Sequence, residues 1–343
     1  MIELTVDNAP AYLRERGLVP GGADLDVREL GWGISNVVLS VRWSDDCLVV
    51  KQSLPKLRVE ADWPFDRSRI LVERDCMAYL AHLLPTGSVP TVLFSDDRNF
   101  IFGMSCAPPG GVLWKEGLLA GHIDLLAAER AGALLAQIHS DAAEDQWARR
   151  RFGDQTVLIQ GRVDPYHLTA AQANPWLAPI IREEVERLLG TQLTLVLGDY
   201  SPKNTFVYPD RLLVLDFEVA HWGDPAFDVA FCLNHLSLKA SRFPQWAPRY
   251  LSAARSFWSA YLGAVPYDGG RTEAAAVREL GCLLLARIDG KSKVEYIDDE
   301  PTKDFVRDLA GQLLLHSETR LAPVLDWIEE RIAGRAVVGQ WPS

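Results

Sequence analysis

Two apolar segments of this chain each end in an aspartate, and this pair of features limits the possible folds most strongly. Residues 193–197 are strand-forming and lead into Gly198-Asp199, and residues 212–215 form a second such run that leads into Asp216. A buried strand that ends in a carboxylate is unfavourable unless the charge is paired or binds a metal. We therefore expect Asp199 and Asp216 to be two halves of one polar site.

Further oxygen-bearing side chains follow each aspartate at a short spacing. Asn204 lies five positions after Asp199, and Glu218 lies on the same side of the chain as Asp216 because strand side chains alternate with a period of two. Phosphoryl transfer needs a carboxylate that accepts a proton and oxygen ligands for Mg²⁺. A polar β-turn is the alternative for the first motif alone. Glu218 is either a further metal ligand or the partner of a cation.

The N-terminal third contains features that suit a nucleotide. Gly31-Trp32-Gly33-Ile34-Ser35-Asn36 separates two predicted strands, and its backbone and Ser35 hydroxyl can approach phosphates. Lys51 ends a third apolar strand, and Glu73 lies in the predicted helix 67–84 that follows. Each feature also has a simpler explanation. The glycine-containing segment can be a tight turn, Lys51 a solvated lysine on an edge strand, and Glu73 a surface residue of its helix. Their order along the chain is more specific than any one of them.

Length and composition indicate two lobes and exclude some classes of protein. The 343 residues exceed one typical core, and 48% are hydrophobic, so a large core is expected. The formal net charge of -11 disfavours sequence-independent binding to nucleic acid. No apolar run is long enough to span a membrane. We expect the protein to bind neither nucleic acid nor a membrane. We also expect it to be a monomer or a homodimer.

The five cysteines suggest a reducing compartment. Their number is odd and no pair has the C-x-x-C spacing, which favours reduced, mostly buried thiols over a disulfide framework or a zinc site. The N-terminal segment lacks the basic and apolar regions of a signal peptide. We therefore predict a cytoplasmic protein.

A change of composition near residue 107 predicts the division between the lobes. Residues 107–111 are rich in proline and glycine and form the expected hinge, and mainly helical patterns follow them. We predict a nucleotide-binding lobe over 1–106 and a catalytic and substrate-binding lobe over 107–343. The fold class is α+β, with a small antiparallel sheet and helices in the first lobe and a larger, mainly α-helical second lobe.

The motifs together resemble those of a known family. From about Val27 to Tyr296 the chain is similar to the aminoglycoside phosphotransferase and choline kinase superfamily, small-molecule kinases with a two-lobed protein-kinase-like fold. The segments that carry the resemblance are 198–204, 214–220 and 223–228.

The resemblance implies a role for each residue of these motifs. Asp199 is the catalytic base, Asn204 and Asp216 bind Mg²⁺, Lys51 contacts the α- and β-phosphates of ATP, and Glu73 pairs with Lys51. The segment 223–228 braces the catalytic loop in that superfamily. ATP is expected between the lobes, with its phosphates near the Gly31 to Asn36 turn and its adenine near Met104 and Cys106.

Within the superfamily the chain resembles methylthioribose kinases in particular. Trp63, Asp66-Arg67 and the Asp216-Phe-Glu218 motif are similar to theirs. Arg287 stands where that group has two sugar-binding arginines, and Leu197 stands where the superfamily usually has a scaffold histidine. The acceptor is a small-molecule hydroxyl compound, and a pentose, an aminoglycoside and an amino alcohol all remain open.

The acceptor site is marked less clearly. Arg162 and Tyr166 lie in a polar-aromatic cluster that lines the acceptor cleft or forms an ordinary turn. Arg287 is a substrate contact or a structural ion-pair partner of Asp289 or of another acid in the C-terminal lobe. Leu197 also supports a different class of function, a nucleotide-binding pseudokinase with no acceptor. The retained base and metal ligands favour an enzyme.

Overall fold

A five-stranded antiparallel sheet forms the N-terminal region, as predicted. The computed structural model describes residues 2–31, 36–54, 63, 65–265, 269–316 and 318–338. Along the sheet the strands lie in the order β1-β2-β3-β5-β4. Their bounds are β1 Asp26–Glu29, β2 Asn36–Trp43, β3 Asp46–Ser53, β4 Val92–Asp96 and β5 Ile101–Ser105.

Alternating side chains of this sheet pack into two hydrophobic cores. Leu48 and Val50 of β3 belong to a small core that also contains Leu13 of helix α1, Ala9–Glu15. Val49, between them in sequence, joins the main core, which contains Met77 of helix α2, Arg69–Leu83. This follows from the period of two, which places successive strand side chains on opposite faces. The main core continues into the rest of the protein.

The cysteine prediction was wrong for two of the five residues. Cys47 and Cys106 form a disulfide with a Cα–Cα distance of 5.8 Å, while Cys76, Cys232 and Cys282 are free and buried. The cause is the register of β3 and β5, in which Leu48 lies opposite Ser105, so the next pair outward is Cys47 and Cys106. Strand β4 separates the two in sequence, so spacing alone does not reveal the pair.

Helices make up most of the remaining chain, as predicted. Two of them come very close, because a Cβ atom added at Gly132 of α4 would lie 2.1 Å from the carbonyl oxygen of Phe257 in α10. Within the described residues, no helix combines the length and apolarity needed to cross a membrane. The helices are α3 Trp114–Leu119, α4 Leu125–Ala142, α5 Gln146–Arg151, α6 Thr156–Leu158, a π-helix Ile159–Leu168, α7 Thr169–Ala173, α8 Ala178–Gly190, α9 Ala226–Arg242, α10 Ala247–Leu262, α11 Gly269–Asp289, α12 Glu300–Leu315 and α13 Leu321–Val338.

Two small sheets carry the segments that the sequence analysis singled out. One pairs β7 with β10, and the other has the order β6-β8-β9. Both motif-bearing strands, β7 and β9, are fully buried and shorter than predicted. The strands are β6 Val112–Leu113, β7 Thr194–Val196, β8 Thr205–Val207, β9 Leu212–Val214 and β10 His221–Gly223.

Candidate active site

The loop after β7 turns sharply at a glycine before it presents Asp199. Gly198 has a φ of 74°, and a Cβ atom there would lie 2.8 Å from the carbonyl oxygen of Val219. Both the left-handed backbone and this close approach require glycine. Asp199 follows, 6% exposed. The local sequence therefore fixes the direction in which this carboxylate leaves the strand.

Asp228 of α9 holds the same loop through its backbone. Its carboxylate accepts hydrogen bonds from the N–H groups of Leu197, at 2.6 Å, and Gly198, at 2.8 Å. His139 Nε2 lies 3.3 Å from the carboxylate oxygen that accepts from Leu197, and His139 Nδ1 contacts the Tyr261 hydroxyl. The bracing contact involves no side chain at position 197, so leucine there leaves the loop anchored.

Two cations lie against the Asp199 carboxylate. Arg162 approaches one oxygen at 2.9 Å and Lys203 approaches the same oxygen at 2.8 Å. Arg162 is buried and also donates to the carbonyl of Gly198 at 2.7 Å. Burial alone raises the pKa of Asp199, but the Lys203 and Arg162 charges outweigh it and hold that pKa below its usual range. Asp199 is thus ionised and can accept a proton.

Hydrogen bonds tie the two motifs together. Asn204, on a 3₁₀ turn over Pro202–Asn204, donates from Nδ2 to the carbonyl of Asp199 at 3.1 Å. The backbone N–H of Leu215 donates to the carbonyl of Asn204 at 2.8 Å. Asp216 comes next, with a φ of 68°, which a non-glycine residue adopts only when its surroundings hold it there. The structure therefore places the ends of both strands side by side.

Three carboxylates form a cluster that can hold a cation. One oxygen each of Glu73, Asp216 and Glu218 lie within 4.8 Å of one another. Hard divalent cations such as Mg²⁺ prefer this kind of oxygen donor. Burial, the largest cause, and the neighbouring Asp216 and Glu218 charges together raise the pKa of Glu73 to about 7, although the Lys51 charge lowers it. The donor set and the crowded negative charge fit a metal ion.

Cations from the N-terminal region orient this cluster. Lys51 Nζ lies 2.6 Å from Glu73 and 3.2 Å from Asp216, so the pairing of Lys51 with Glu73 that the resemblance implied is present. Glu218 bonds Arg69 at 3.2 Å and accepts from Asn36 Nδ2 at 2.8 Å. Glu218 therefore combines the two alternatives considered for it, since it has a cationic partner and also lies in the carboxylate cluster.

A cavity of about 420 Å³ joins these groups. Of the residues expected to bind the nucleotide, Lys51, Asn36, Met104 and Cys106 line it, and Cys106 does so as half of the disulfide. Glu73 is buried behind Lys51. Gly31 is exposed at the end of β1 and is not part of the lining. Gly33 and Ser35 lie outside the described residues.

Two of the three predicted substrate residues line the part of this cavity beside Asp199, which we call the acceptor end, and the third, Arg287, lies behind them. Arg162 and Tyr166 line the cavity, on the π-helix Ile159–Leu168, where the sequence analysis left a turn as the alternative. Arg287 donates from Nη1 to the Tyr166 hydroxyl at 2.9 Å. The suggested ion pair of Arg287 with Asp289 is wrong, since Asp289 pairs with Arg307 at 2.9 Å.

Sequence reasoning missed two lysines of this region. Lys203 lies one residue before the predicted metal ligand Asn204, and its i,i+4 spacing from Asp199 is the signal that could have revealed the ion pair. Lys239 of α9 is completely buried near Arg287. It was hidden because it lies in an otherwise ordinary helical pattern.

With this geometry, the chain has a two-lobed fold of the protein-kinase-like kind. Residues 26–265 match the model of the APH phosphotransferase enzyme family, and the chain belongs to that family. Solved structures agree in fold. A choline/ethanolamine kinase family protein from Mesorhizobium loti aligns with a TM-score of 0.55 over 94% of this chain and 99% of that one, at 17% identity.

The curated relatives that the chain matches include several methylthioribose kinases. The enzyme of Escherichia coli O45:K1 is 27% identical over 278 residues, which is 71% of this chain and 66% of the relative. Methylthioribose kinase 2 of Oryza sativa subsp. japonica is 26% identical over 246 residues, which is 62% of this chain and 56% of the relative. The chain thus spans less than two thirds of the length of these relatives.

Proposed function

We propose that this protein is an ATP- and Mg²⁺-dependent kinase that moves the γ-phosphate of ATP to a hydroxyl group of a small molecule. One observation supports the proposal most: an ionised, buried Asp199 lies in the same cavity as the Asp216–Glu218 oxygen cluster. The names of the curated relatives, methylthioribose kinases, support the same class.

The residues of the cavity can divide the reaction between them. Asp199 accepts the proton of the acceptor hydroxyl as that oxygen attacks the γ-phosphorus, the new O–P bond forms and the bond to the ADP oxygen breaks. Lys51, held by Glu73, orients the α- and β-phosphates. Asp216, with Asn204 and Glu218, would hold the metal, which neutralises charge on the phosphates when it is bound. Catalysis is then mainly positioning and electrostatics.

A nucleotide-binding pseudokinase is the alternative. Leu197, where the superfamily usually has histidine, was its main support. The backbone anchors from Asp228 to Leu197 and Gly198 weaken that support, because the loop is braced without a histidine. The base and the candidate metal ligands are retained, so we favour the enzyme.

The test is ATP turnover with Mg²⁺ across sugars, sugar acids, amino alcohols and aminoglycosides, together with nucleotide binding by calorimetry. We expect at least one acceptor to be phosphorylated, and Asp216→Asn to abolish that activity. Asp210→Asn is the matched control, since Asp210 is a 72% exposed side chain in the turn before β9. Nucleotide binding without transfer to any acceptor would support the pseudokinase instead.

The lobe boundary after residue 106, a cytoplasmic location and a monomeric or dimeric state remain parts of this proposal, although the Cys47–Cys106 disulfide removes the support that reduced cysteines gave to the location. The boundary is supported by the position of Met104 and Cys106 in the cavity wall, between the N-terminal sheet and the helical region. Size-exclusion chromatography with light scattering measures the oligomeric state.

A further inference from the structure

The acceptor end of the cavity carries an excess of positive charge. Asp199 is the carboxylate at this end, and Arg162 and Lys203 already pair with it. Arg287 adds a third cation beside the same site, and its charge contributes to the lowered pKa of Asp199. Among the described residues, three cationic side chains therefore act on the Asp199 carboxylate, and Lys239 lies behind them, near Arg287 and Glu295.

Arg287 is buried without an ionic partner. It is 6% exposed, and among the described residues no carboxylate lies within ion-pair distance of its guanidinium. Nη1 donates to the hydroxyls of Tyr166 and Ser292, which both line the cavity, while buried Nε has no hydrogen-bond partner there. A buried guanidinium normally has a carboxylate or phosphate partner. Its position beside the cavity wall allows a ligand to supply one.

Tyr166 links the two arginines of this site. The Arg162 and Arg287 guanidinium carbons lie 5.3 and 5.6 Å from its ring centroid. Burial alone raises the pKa of Tyr166, but the Arg287 and Arg162 charges outweigh it and lower that pKa below its usual value. Two positively charged groups thus lie against this tyrosine at the cavity wall.

Lys239 adds charge behind this wall. Its side chain is completely buried, donates to the carbonyl of His235 at 3.3 Å and lies 4.9 Å above the Tyr296 ring. No described carboxylate lies within ion-pair distance of it. Burial is the largest cause that lowers the pKa of Lys239, to about 7. The Lys115 and Arg287 charges also lower this pKa, and the Glu295 charge opposes them. A bound anion would relieve this repulsion.

The nucleotide end of the cavity differs in its balance of charge. There Glu73, Asp216 and Glu218 lie around Lys51 and Arg69, and Arg42 also lines the cavity, so acidic and basic groups balance. The excess of cations is thus confined to the acceptor end. Such a site disfavours a cationic amino alcohol or aminoglycoside, because like charges brought together in a partly desolvated site repel each other.

We propose that the acceptor is an anionic hydroxy compound, a small polyol that bears a carboxylate or a phosphate group. Arg287 binds the anionic group, Lys239 stabilises it at longer range, and the reacting hydroxyl lies at Asp199. This inference rests on the proposed kinase function and specifies its substrate class. The phosphoryl transfer itself is unchanged.

The test compares matched acceptors in the presence of saturating ADP and Mg²⁺, so that the probes do not occupy the nucleotide site. Glycerol, glycerate and glycerol 3-phosphate form one series; ribose, ribonate and ribose 5-phosphate form another; and choline is the cationic probe. Calorimetry measures binding, and ADP release from ATP measures turnover. We expect an anionic member to bind at least about tenfold more tightly than its neutral parent, a difference typical of one charge-assisted contact.

Comparing the carboxylate compounds with the phosphate compounds of the two series shows which anionic group the protein recognises. Equal or tighter binding of the neutral parents or of choline, or no binding of any anion, overturns the proposal. If anions bind but are never phosphorylated, the kinase function fails while the anion site stands. If neutral acceptors are phosphorylated best, the kinase stands and this inference fails.

Substitutions on α11 test whether Arg287 recognises the anionic group of the acceptor. Arg287→Gln should raise the KM of the preferred anionic acceptor at least about tenfold and leave the KM of its neutral parent within about twofold. Arg278→Gln, a partly exposed position on the same helix, is the matched control and should change neither. Equal changes for the anionic and neutral acceptors in Arg287→Gln would show a structural role and refute the assignment.

Discussion

At the scale of single residues, Asp199 is defined by its cationic neighbours. The sequence analysis proposed this aspartate as the base from its place after a buried strand, but the contacts of Arg162 and Lys203 come from tertiary structure. Arg162 was considered a substrate contact. Its three contacts, to Asp199, Gly161 and Gly198, also make it a positioning residue for the base.

The lowered pKa of Asp199 predicts the pH dependence of activity. A group whose pKa is depressed stays ionised as pH falls, so the base should remain active to a lower pH than an aspartate of ordinary pKa would. Arg162→Gln removes one of the three charges that lower this pKa, and the acid limb of kcat/KM should then move to higher pH. The control is Arg149→Gln, an exposed position on α5. An unchanged acid limb in Arg162→Gln would contradict the assigned charge effect.

Asp228 explains why Leu197 is tolerated. The segment 223–228 was expected to brace the catalytic loop, and the hydrogen bonds from Leu197 and Gly198 to Asp228 are that brace. Asp228→Ala should reduce the free energy of unfolding by about 2–4 kcal/mol, because it leaves two buried N–H groups unpaired. Urea denaturation measures this change. Leu197→His is the comparison and should change turnover by less than about threefold; a large gain would mean that leucine weakens the natural enzyme.

At the scale of elements, the periodicity of apolar residues predicted the strands and helices that neighbouring residues determine. The strands around Lys51, the helix that carries Glu73 and the long helices of the C-terminal half all follow from periodicity. The π-helix with Arg162 and the disulfide of Cys47 with Cys106 were not predictable this way. Both depend on which elements lie side by side, and that information is not local in the sequence.

The contact between α4 and α10 gives a test at this scale. Gly132→Ala would place a methyl group against the backbone of Phe257, so the helices must separate, at a cost of about 1–3 kcal/mol. Gly190→Ala, at the end of α8, has nothing within 4 Å and is the control, with an expected change below about 1 kcal/mol. Thermal unfolding of both variants measures the difference. Equal stability of the two would refute the close packing.

At the scale of the whole molecule, one cavity collects residues from distant parts of the chain. Lys51 lies in the N-terminal sheet, Asp199 and Asp216 lie after β7 and β9, and Arg287 lies on α11. The order of motifs and the family resemblance predicted this grouping for the nucleotide end. The charge of the acceptor end was not predictable, because Lys239 and Arg287 approach each other only through helix packing.

The disulfide fastens the edge of β3 to the segment after β5 and should contribute to global stability. It closes a loop with a sequence separation of 59 residues. Its removal in Cys47→Ser should therefore lower the free energy of unfolding by about 2–4 kcal/mol. Melting with and without a dithiol reductant measures this effect. Cys47→Ser, which lacks the disulfide, should not respond to the reductant, whereas Cys76→Ser, which changes a free buried thiol and keeps the disulfide, should respond as the wild type does. A wild-type melting temperature that is unchanged by reduction would contradict the expected contribution of the disulfide to stability.

The most direct test of the central claim is phosphoryl transfer by Asp199→Asn with an acceptor that the natural protein phosphorylates. Because asparagine keeps the shape but cannot accept the proton, kcat should fall by at least about a hundredfold. Calorimetry should show ADP–Mg²⁺ affinity within about twofold of the natural protein, since Asp199 is not assigned to the nucleotide. Equal turnover by Asp199→Asn would contradict the account, because this carboxylate would then not be the base.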